Sequence, residues 1–307
     1  MFGYEPEGWR INRAENRAAQ RSAAALQQAA RSQQILEARA VLCDSRHNLV
    51  VDLGCMQGII PREEGAIGIR EGTVRDIALL SRVNRPVCFF VTGFSGEGST
   101  ATAVLSRRAA QEACWQNYLS HLSPGDVLDA RITHLEPFGA FADIGCGVVA
   151  LMPIDAISVS RIDHPRERFA TGMDIRAVVR SREDRRITLT QRELLGTWAE
   201  NAARFHSGET VGGIIRSVEP YGIFVELAPN LAGLAECREN VVSGQQASVY
   251  IKSILPARMK VKLVIIDTFE GKQKPQAPHY YFSGNHIDRF LYSPPECSKK
   301  IETIFTE

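Results

Sequence analysis

Two segments of this 307-residue chain repeat one another. The first reads Gly125-Asp126-Val127 and then Ile132-Thr133-His134-Leu135-Glu136-Pro137-Phe138-Gly139-Ala140-Phe141-Ala142-Asp143-Ile144. The second reads Gly208-Glu209-Thr210 and then Ile215-Arg216-Ser217-Val218-Glu219-Pro220-Tyr221-Gly222-Ile223-Phe224-Val225-Glu226-Leu227. Phe138 matches Tyr221 and Phe141 matches Phe224, each 83 positions on. A fixed period of this kind means a repeated supersecondary unit, and it constrains the fold more than any local propensity does. A degenerate third copy precedes them: Val41 matches Ile132, His47 matches Phe138, Val50 matches Phe141 and Gly54 matches Gly145, each 91 positions earlier.

Each copy is a series of short β-branched runs separated by turn residues, a pattern that predicts small barrels rather than open sheets. The closing run of the second copy, Arg185-Arg186-Ile187-Thr188-Leu189-Thr190, matches Met259-Lys260-Val261-Lys262-Leu263-Val264-Ile265 in the third. Between the copies, 107–122 and 191–206 read as connecting helices. Ala-, Arg- and Gln-rich sequence without Gly or Pro from about Ile11 to Ala40 predicts a long, weakly amphipathic helix. It either caps the first barrel or serves as a partner-binding arm. The expected organisation is a helical arm at 1–35 whose first ten residues form an irregular leader, a degenerate barrel at 36–106, a helix at 107–122, barrels at 123–190 and 207–268 flanking the helix at 191–206, and a tail at 269–307. The tail opens with a polar linker, Gly271 to Pro278, and continues with Tyr280, Tyr281, Phe282, Ile287, Phe290, Leu291 and Tyr292. That segment is too aromatic for a solvated tail, and it docks either on the protein or on a partner.

Composition removes several function classes. Net charge is only +1, so nucleic-acid contact must come from local placement of cations rather than from bulk charge. No apolar run is long enough for a transmembrane helix, and the N-terminus lacks a secretory pattern. Seven scattered cysteines without a Cys-x-x-Cys pair suit a reducing cytoplasm and give no zinc site. Cys43, Cys55, Cys88, Cys146 and Cys237 lie in or beside apolar segments and read as small buried hydrophobes. No nucleotide-binding, serine-hydrolase or metalloprotease motif is present, and the histidines are dispersed. The Gly-rich stretch Phe94 to Ser99 reads as a hairpin, because a phosphate-cradling loop normally opens a helix. The expectation is a non-enzymatic protein with no cofactor.

The Gly-acidic opening, the Phe-Gly-Ala-Phe or Tyr-Gly-Ile-Phe second strand, the charged excursion and the Arg-Ile-Thr-Leu-Thr closing strand resemble the S1-type RNA-binding repeat, a five-stranded OB-fold barrel. The resemblance covers roughly Leu36 to Asp267. It implies a mainly β chain of three tandem barrels, the first degenerate, joined by helices after an N-terminal α-helix. Barrels of this kind bind oligonucleotides on one sheet face and its loops. The resemblance makes Phe138 and Phe141, and Tyr221 and Phe224, the paired aromatics that stack on bases. It makes Arg185, Arg186 and Lys260 basic contacts beside the closing strand. Arg131, Arg216 and Lys252 are further candidates for phosphate. Gly139 and Gly222 are expected to bend the strand between the aromatics.

Each assignment has a structural rival. A strand Phe is commonly core, and the Arg run interleaved with Glu183 and Asp184 also reads as a solvated loop. The chain departs from the family where a His often ends the third strand: Pro61, Pro153 and Glu236 stand there. His47 and Val50 replace both aromatics in the first copy, which makes it a poor RNA binder. It resembles leading repeats that serve protein contacts. The implied function is non-catalytic binding of single-stranded RNA such as mRNA, associated with the ribosome or translation, with the first barrel and N-terminal helix attached to a ribosomal or other protein partner and no membrane involved. The alternative is a scaffold whose barrels mainly bind proteins.

Overall fold

The computed structural model describes residues 3–96, 98, 101–271 and 275–305. Met1 and Phe2 of the leader, Glu97, Ser99 and Thr100 of the predicted hairpin, Lys272, Gln273 and Lys274 of the linker, and the last two residues of the tail lie outside the described residues. The described residues form a mainly β fold with three closed five-stranded barrels. The first uses β1 (Leu36–Cys43), β2 (Leu49–Asp52), β3 (Gln57–Ile60), β4 (Pro86–Ser95) and β5 (Thr102–Ser106). The second uses β6 (Val127–Glu136), β7 (Gly139–Asp143), β8 (Val149–Pro153), β9 (Asp174–Glu183) and β10 (Arg186–Thr190). The third uses β11 (Thr210–Glu219), β12 (Gly222–Ala228), β13 (Leu231–Ala235), β14 (Gln246–Leu255) and β15 (Lys260–Phe269).

All three close in the same way. The fifth strand lies antiparallel to the fourth and parallel to the third, with Ile59 opposite Val104, Leu151 opposite Thr188 and Leu234 opposite Lys262. A parallel contact needs a long crossover, and the excursions between third and fourth strands supply it. In the second barrel the excursion contains 3-10 turns at Ile154–Ala156 and Pro165–Glu167. The barrel interiors follow the period of two. Val261, Leu263 and Ile265 of β15 are buried while Lys260, Lys262 and Val264 between them are exposed.

The chain divides into two compact units, Met1–Leu122 with Asp143–Val149, and Ser123–Ala142 with Ala150–Glu307. In the first, the predicted long helix is two short ones, α1 (Ala14–Ala19) and α2 (Ala23–Arg31). Ser22 breaks the run because its hydroxyl accepts the Ala25 amide as an N-cap. Leu26 and Ala29 of α2 then join the first barrel's core. A one-turn helix, α3 (Ile77–Leu80), lies between β3 and β4, and α4 (Arg107–Asn117) follows β5 as expected. The leader is irregular in backbone but tied down. The buried Glu7 carboxylate accepts from Arg107 Nε at 2.7 Å, Arg107 Nη2 at 3.0 Å and the Cys88 amide at 3.1 Å.

In the second unit the stretch 191–206 is not one helix. A 3-10 turn, Arg192–Leu195, ends at Gly196 with φ 86°, and the chain restarts as α5 (Trp198–Ala202) under a Thr197/Glu200 capping box. The open question about the tail is resolved: it docks on the protein. The Tyr280 hydroxyl accepts from the Arg176 amide at 2.9 Å and Gln191 Nε2 at 2.8 Å, and burial pushes its pKa up to about 12. Ile287 and Phe305 pack with Val178 and Leu194, and Tyr292 enters the third barrel's core cluster. The tail ends in a small hairpin of β16 (Arg289–Leu291) and β17 (Glu302–Ile304). Cys88 and Cys146 are buried as expected and Cys43 is partly so, but Cys55 and Cys237 are exposed, because both sit just past strand ends.

One tail contact rests on a titratable histidine. The Asp126 carboxylate, 2.7 Å from His286 Nδ1, and Asp288, 3.3 Å from Nε2, hold the His286 pKa above its ordinary value. A pKa raised by folding contributes stability that is complete below the unfolded value and is lost as pH rises through the folded one. Hydrogen exchange at the Val127 amide, which donates to the Asn285 carbonyl at 2.8 Å, is therefore expected to quicken, beyond its intrinsic pH dependence, as pH rises above the ordinary histidine value and through the raised folded one. His286→Gln removes that extra acceleration; an unchanged profile in the variant excludes His286 as its source.

Candidate nucleic-acid interface

The first aromatic of each pair is not on a strand. β6 and β7 are joined by a two-residue turn, Pro137-Phe138, and β11 and β12 by Pro220-Tyr221. Proline sets the first turn residue, and the aromatic follows at the tip. Strand alternation would send residues three apart to opposite faces, but a turn residue is not bound by it. The Phe138 and Phe141 rings therefore meet edge to face, with centroids 6.0 Å apart at 90°. Tyr221 and Phe224 repeat this at 6.2 Å and 86°. Phe138 is 57% exposed and Tyr221 70%, while Phe141 and Phe224 are half-buried. Neither pair fills a core.

The intervening glycines act differently from the bend expected of them. A Cβ on Gly139 would lie 2.5 Å from the Met152 carbonyl oxygen, and one on Gly222 would lie 2.7 Å from that of Ala235. Glycine is needed so that the neighbouring strand can approach; only Gly222, at φ 148°, also has a conformation that other residues avoid.

The third barrel shows how the aromatics relate to the cations. Ser217 lies opposite Phe224, Phe224 opposite Leu234, and Leu234 opposite Lys262. Directly paired residues share a face, so an outward row crosses the sheet from the Phe224 ring to the Lys262 ammonium, about 10 Å over two strand spacings. Lys260 is on the same side of β15 and exposed. Lys262 was not among the sequence-predicted contacts, because its place in the row appears only from the register. His134 was also missed. Its ring is 6.2 Å from that of Phe141 and its Nε2 is 2.5 Å from the Glu136 carboxylate.

The other predicted cations fall into two groups. Arg185 and Arg186 are exposed at the β9–β10 turn, beside Asp184 at φ 49°, and Lys252 is exposed on β14. Arg131 is engaged in a two-point ion pair with Asp174, at 2.7 and 2.9 Å. The structure draws Arg216 away from the surface. Its side chain is 7% exposed, Nε donates to Glu226 at 2.7 Å and Nη1 to Glu167. A guanidinium already balanced by two carboxylates offers a phosphate little.

The first barrel keeps the row and loses its chemistry. Leu42, Val50, Ile59 and Val104 occupy successive paired positions. His47 sits in the β1–β2 turn at φ 61°. An aliphatic stripe replaces ring and cation. Among the described residues no helix is long and apolar enough to cross a membrane, and no group of three or more His, Cys, Asp or Glu is placed to hold a metal ion.

Residues 122–190, the second barrel, match the family described as the S1 RNA binding domain. The chain is 31% identical over 187 residues to small ribosomal subunit protein bS1 of Staphylococcus aureus (strain COL), covering 55% of this chain and 48% of that protein. Its similarity to bS1 of Leuconostoc lactis is 30% over 239 residues, 71% of this chain and 53% of the relative. The chain thus spans about half the length of these curated relatives. The similarity to a solved multidomain protein with nucleic acid binding domains from Streptococcus pneumoniae covers 76% of this chain and 73% of that one at 13% identity, with a TM-score of 0.26.

The turn geometry separates binding from folding. Phe138→Ala is expected to change unfolding free energy by less than about 1 kcal/mol, the scale of one edge-to-face ring contact. Gly139→Ala should cost about 1–3 kcal/mol through overpacking against β8. Denaturant midpoints of the two variants check this, and equal losses would contradict the turn-tip placement.

Proposed function

We infer that this chain, an S1-repeat protein whose second barrel is an S1 RNA-binding domain, holds single-stranded RNA on its second and third barrels without catalysing a reaction on it. The observation that carries the reading is the exposed Phe138/Phe141 pair on the matched domain. Bases stack on Phe138 and Phe141, and on Tyr221 and Phe224. Arg185, Arg186, Lys252, Lys260 and Lys262 contact phosphates. The likeness to bS1 supports a cytoplasmic, translation-associated role with mRNA as the ligand.

A titration with single-stranded RNA at low salt tests this. Stacking contributes about 1–3 kcal/mol per base, so Phe138→Ala/Phe141→Ala should weaken binding by roughly 10-fold or more. Five candidate cations, at about 0.7 each on a single strand, bound the slope of log K against log salt at about −3.5. Equal affinities for wild type and the double variant would remove the stacking role.

The first barrel supports a second activity. Its aliphatic row, Leu42, Val50, Ile59 and Val104, offers stacking rings and phosphates nothing and suits a protein partner. With α1 and α2 it serves as the attachment part, to the ribosome or a ribosomal protein. If protein contacts dominate in all three barrels, the chain is a scaffold. Capture from lysate separates these: nuclease-sensitive RNA with the wild type, and lost from the Phe138→Ala/Phe141→Ala variant, supports RNA binding. Protein partners unaffected by nuclease, with no RNA, support the scaffold.

A further inference from the structure

The tail after β15 lies outside the repeated unit, yet within the second unit of the structure it touches both barrels. On the second barrel, Tyr280 is held by the Arg176 amide and Gln191, and Arg176 Nη1 donates to the Phe282 carbonyl at 2.8 Å. Val127 N donates to the Asn285 carbonyl, and Ile287 N to the Gly125 carbonyl at 2.9 Å. Seven positions beyond Asn285, Tyr292 lies in the third barrel's core cluster, 6% exposed. Its hydroxyl donates to the Asn230 carbonyl at 2.7 Å.

Asn230 is itself a joint. It is fully buried at the tip of the β12–β13 hairpin. Its Nδ2 donates to the Arg192 carbonyl at 2.7 Å and the Gly196 carbonyl at 2.8 Å, in the connection between the barrels. Its Oδ1 accepts from the Val159 amide of the second barrel's excursion at 3.0 Å. One side chain thus satisfies three backbone groups from two segments, and its own carbonyl takes the tail's tyrosine. Beside it, Glu226 of β12 accepts from Arg168 of the same excursion at 2.5 Å and from Arg216 at 2.7 Å. The Asn230 side chain, with its oxygen and nitrogen both paired, admits few alternative arrangements, because a shift leaves several buried groups unpaired.

We propose that the C-terminal segment 275–305 is a strap that, pinned by Tyr292 on Asn230, locks the second and third barrels into one two-site binder, so that a single RNA strand must span a set distance to engage both aromatic pairs. The inference rests on the RNA-binding reading. Its distinctive consequence concerns strand length. Two sites on a fixed joint give a sharp gain in affinity once the strand reaches from one to the other, and a loosened joint spreads that gain over many lengths.

The experiment uses the full chain and oligouridine ribonucleotides graded from about 5 to about 30 nucleotides, a range spanning one to several OB-barrel site sizes. The expected result is a step of about 100-fold or more in affinity over a narrow length interval. In Tyr292→Phe, which removes the hydroxyl that pins the strap, and in Asn230→Ala, which keeps the carbonyl that takes Tyr292 but removes the side chain joining it to Arg192, Gly196 and Val159, the shortest oligomers should bind as the wild type does. The step should shrink by about tenfold or broaden. Hydrogen exchange at the Trp198 amide, which donates to the Tyr292 carbonyl at 3.0 Å, verifies that the strap has loosened. A step that survives unchanged with the strap loosened, or a wild type that binds short oligomers and gains smoothly with length, overturns the strap. A wild type that binds no length overturns the RNA-binding reading as well.

Discussion

The placement of rings and cations on the barrel faces depends on the short parallel contact between the third and fifth strands. In the third barrel it consists of Leu234 opposite Lys262 and Ala235 opposite Leu263. It closes the sheet and leaves no free edge to recruit another chain. It also fixes which fifth-strand residue stands across from which second-strand residue. A slip by one position would turn Lys262 inward and Leu263 outward, burying an ammonium and exposing a core leucine. Placement of cation relative to ring is thus a by-product of the same register that builds the core.

The three barrels share this frame and differ in what is mounted on it. The third carries ring, leucine and lysine across its row. The second carries the Phe138/Phe141 pair, with Arg185 in the turn before its closing strand and Arg186 opening that strand. The first carries four aliphatic residues. Arg216 shows the limit of reading a cation from position alone: it lies one residue before the row, where the β11 bulge turns it toward Glu226 and the Glu167 carboxylate from the preceding barrel. Its charge contributes to the joint between barrels rather than to a surface.

The repeat was legible because its signal is redundant. Spacing, Gly139 and Gly222, the aromatics and the closing strand all point to one unit, so the barrels and their order follow from sequence. The pairing of Phe138 with Phe141 was also legible, although the reason differs from the one the sequence offered. What could not be read depends on contacts between distant segments. Lys262 looks like any alternating strand lysine until the register sets it beside Leu234. The break at Ser22 is a local capping event inside a stretch whose composition favours continuous helix. The tail's docking turns on Tyr280 meeting Arg176, 104 positions away, and on Tyr292 meeting Asn230, and nothing near either tyrosine in sequence announces that partner.

The turn that carries the first aromatic has a consequence for how such a chain diversifies. A residue at a solvent-facing tip can be exchanged without disturbing the packing beneath it, whereas the glycine beside it cannot. The second and third barrels thus each have one position where the side chain can be exchanged and an adjoining position, Gly139 or Gly222, where it cannot. In the first barrel the corresponding connection is the longer Asp44–Asn48 turn, and Asn48 stands after His47 where the other barrels have glycine.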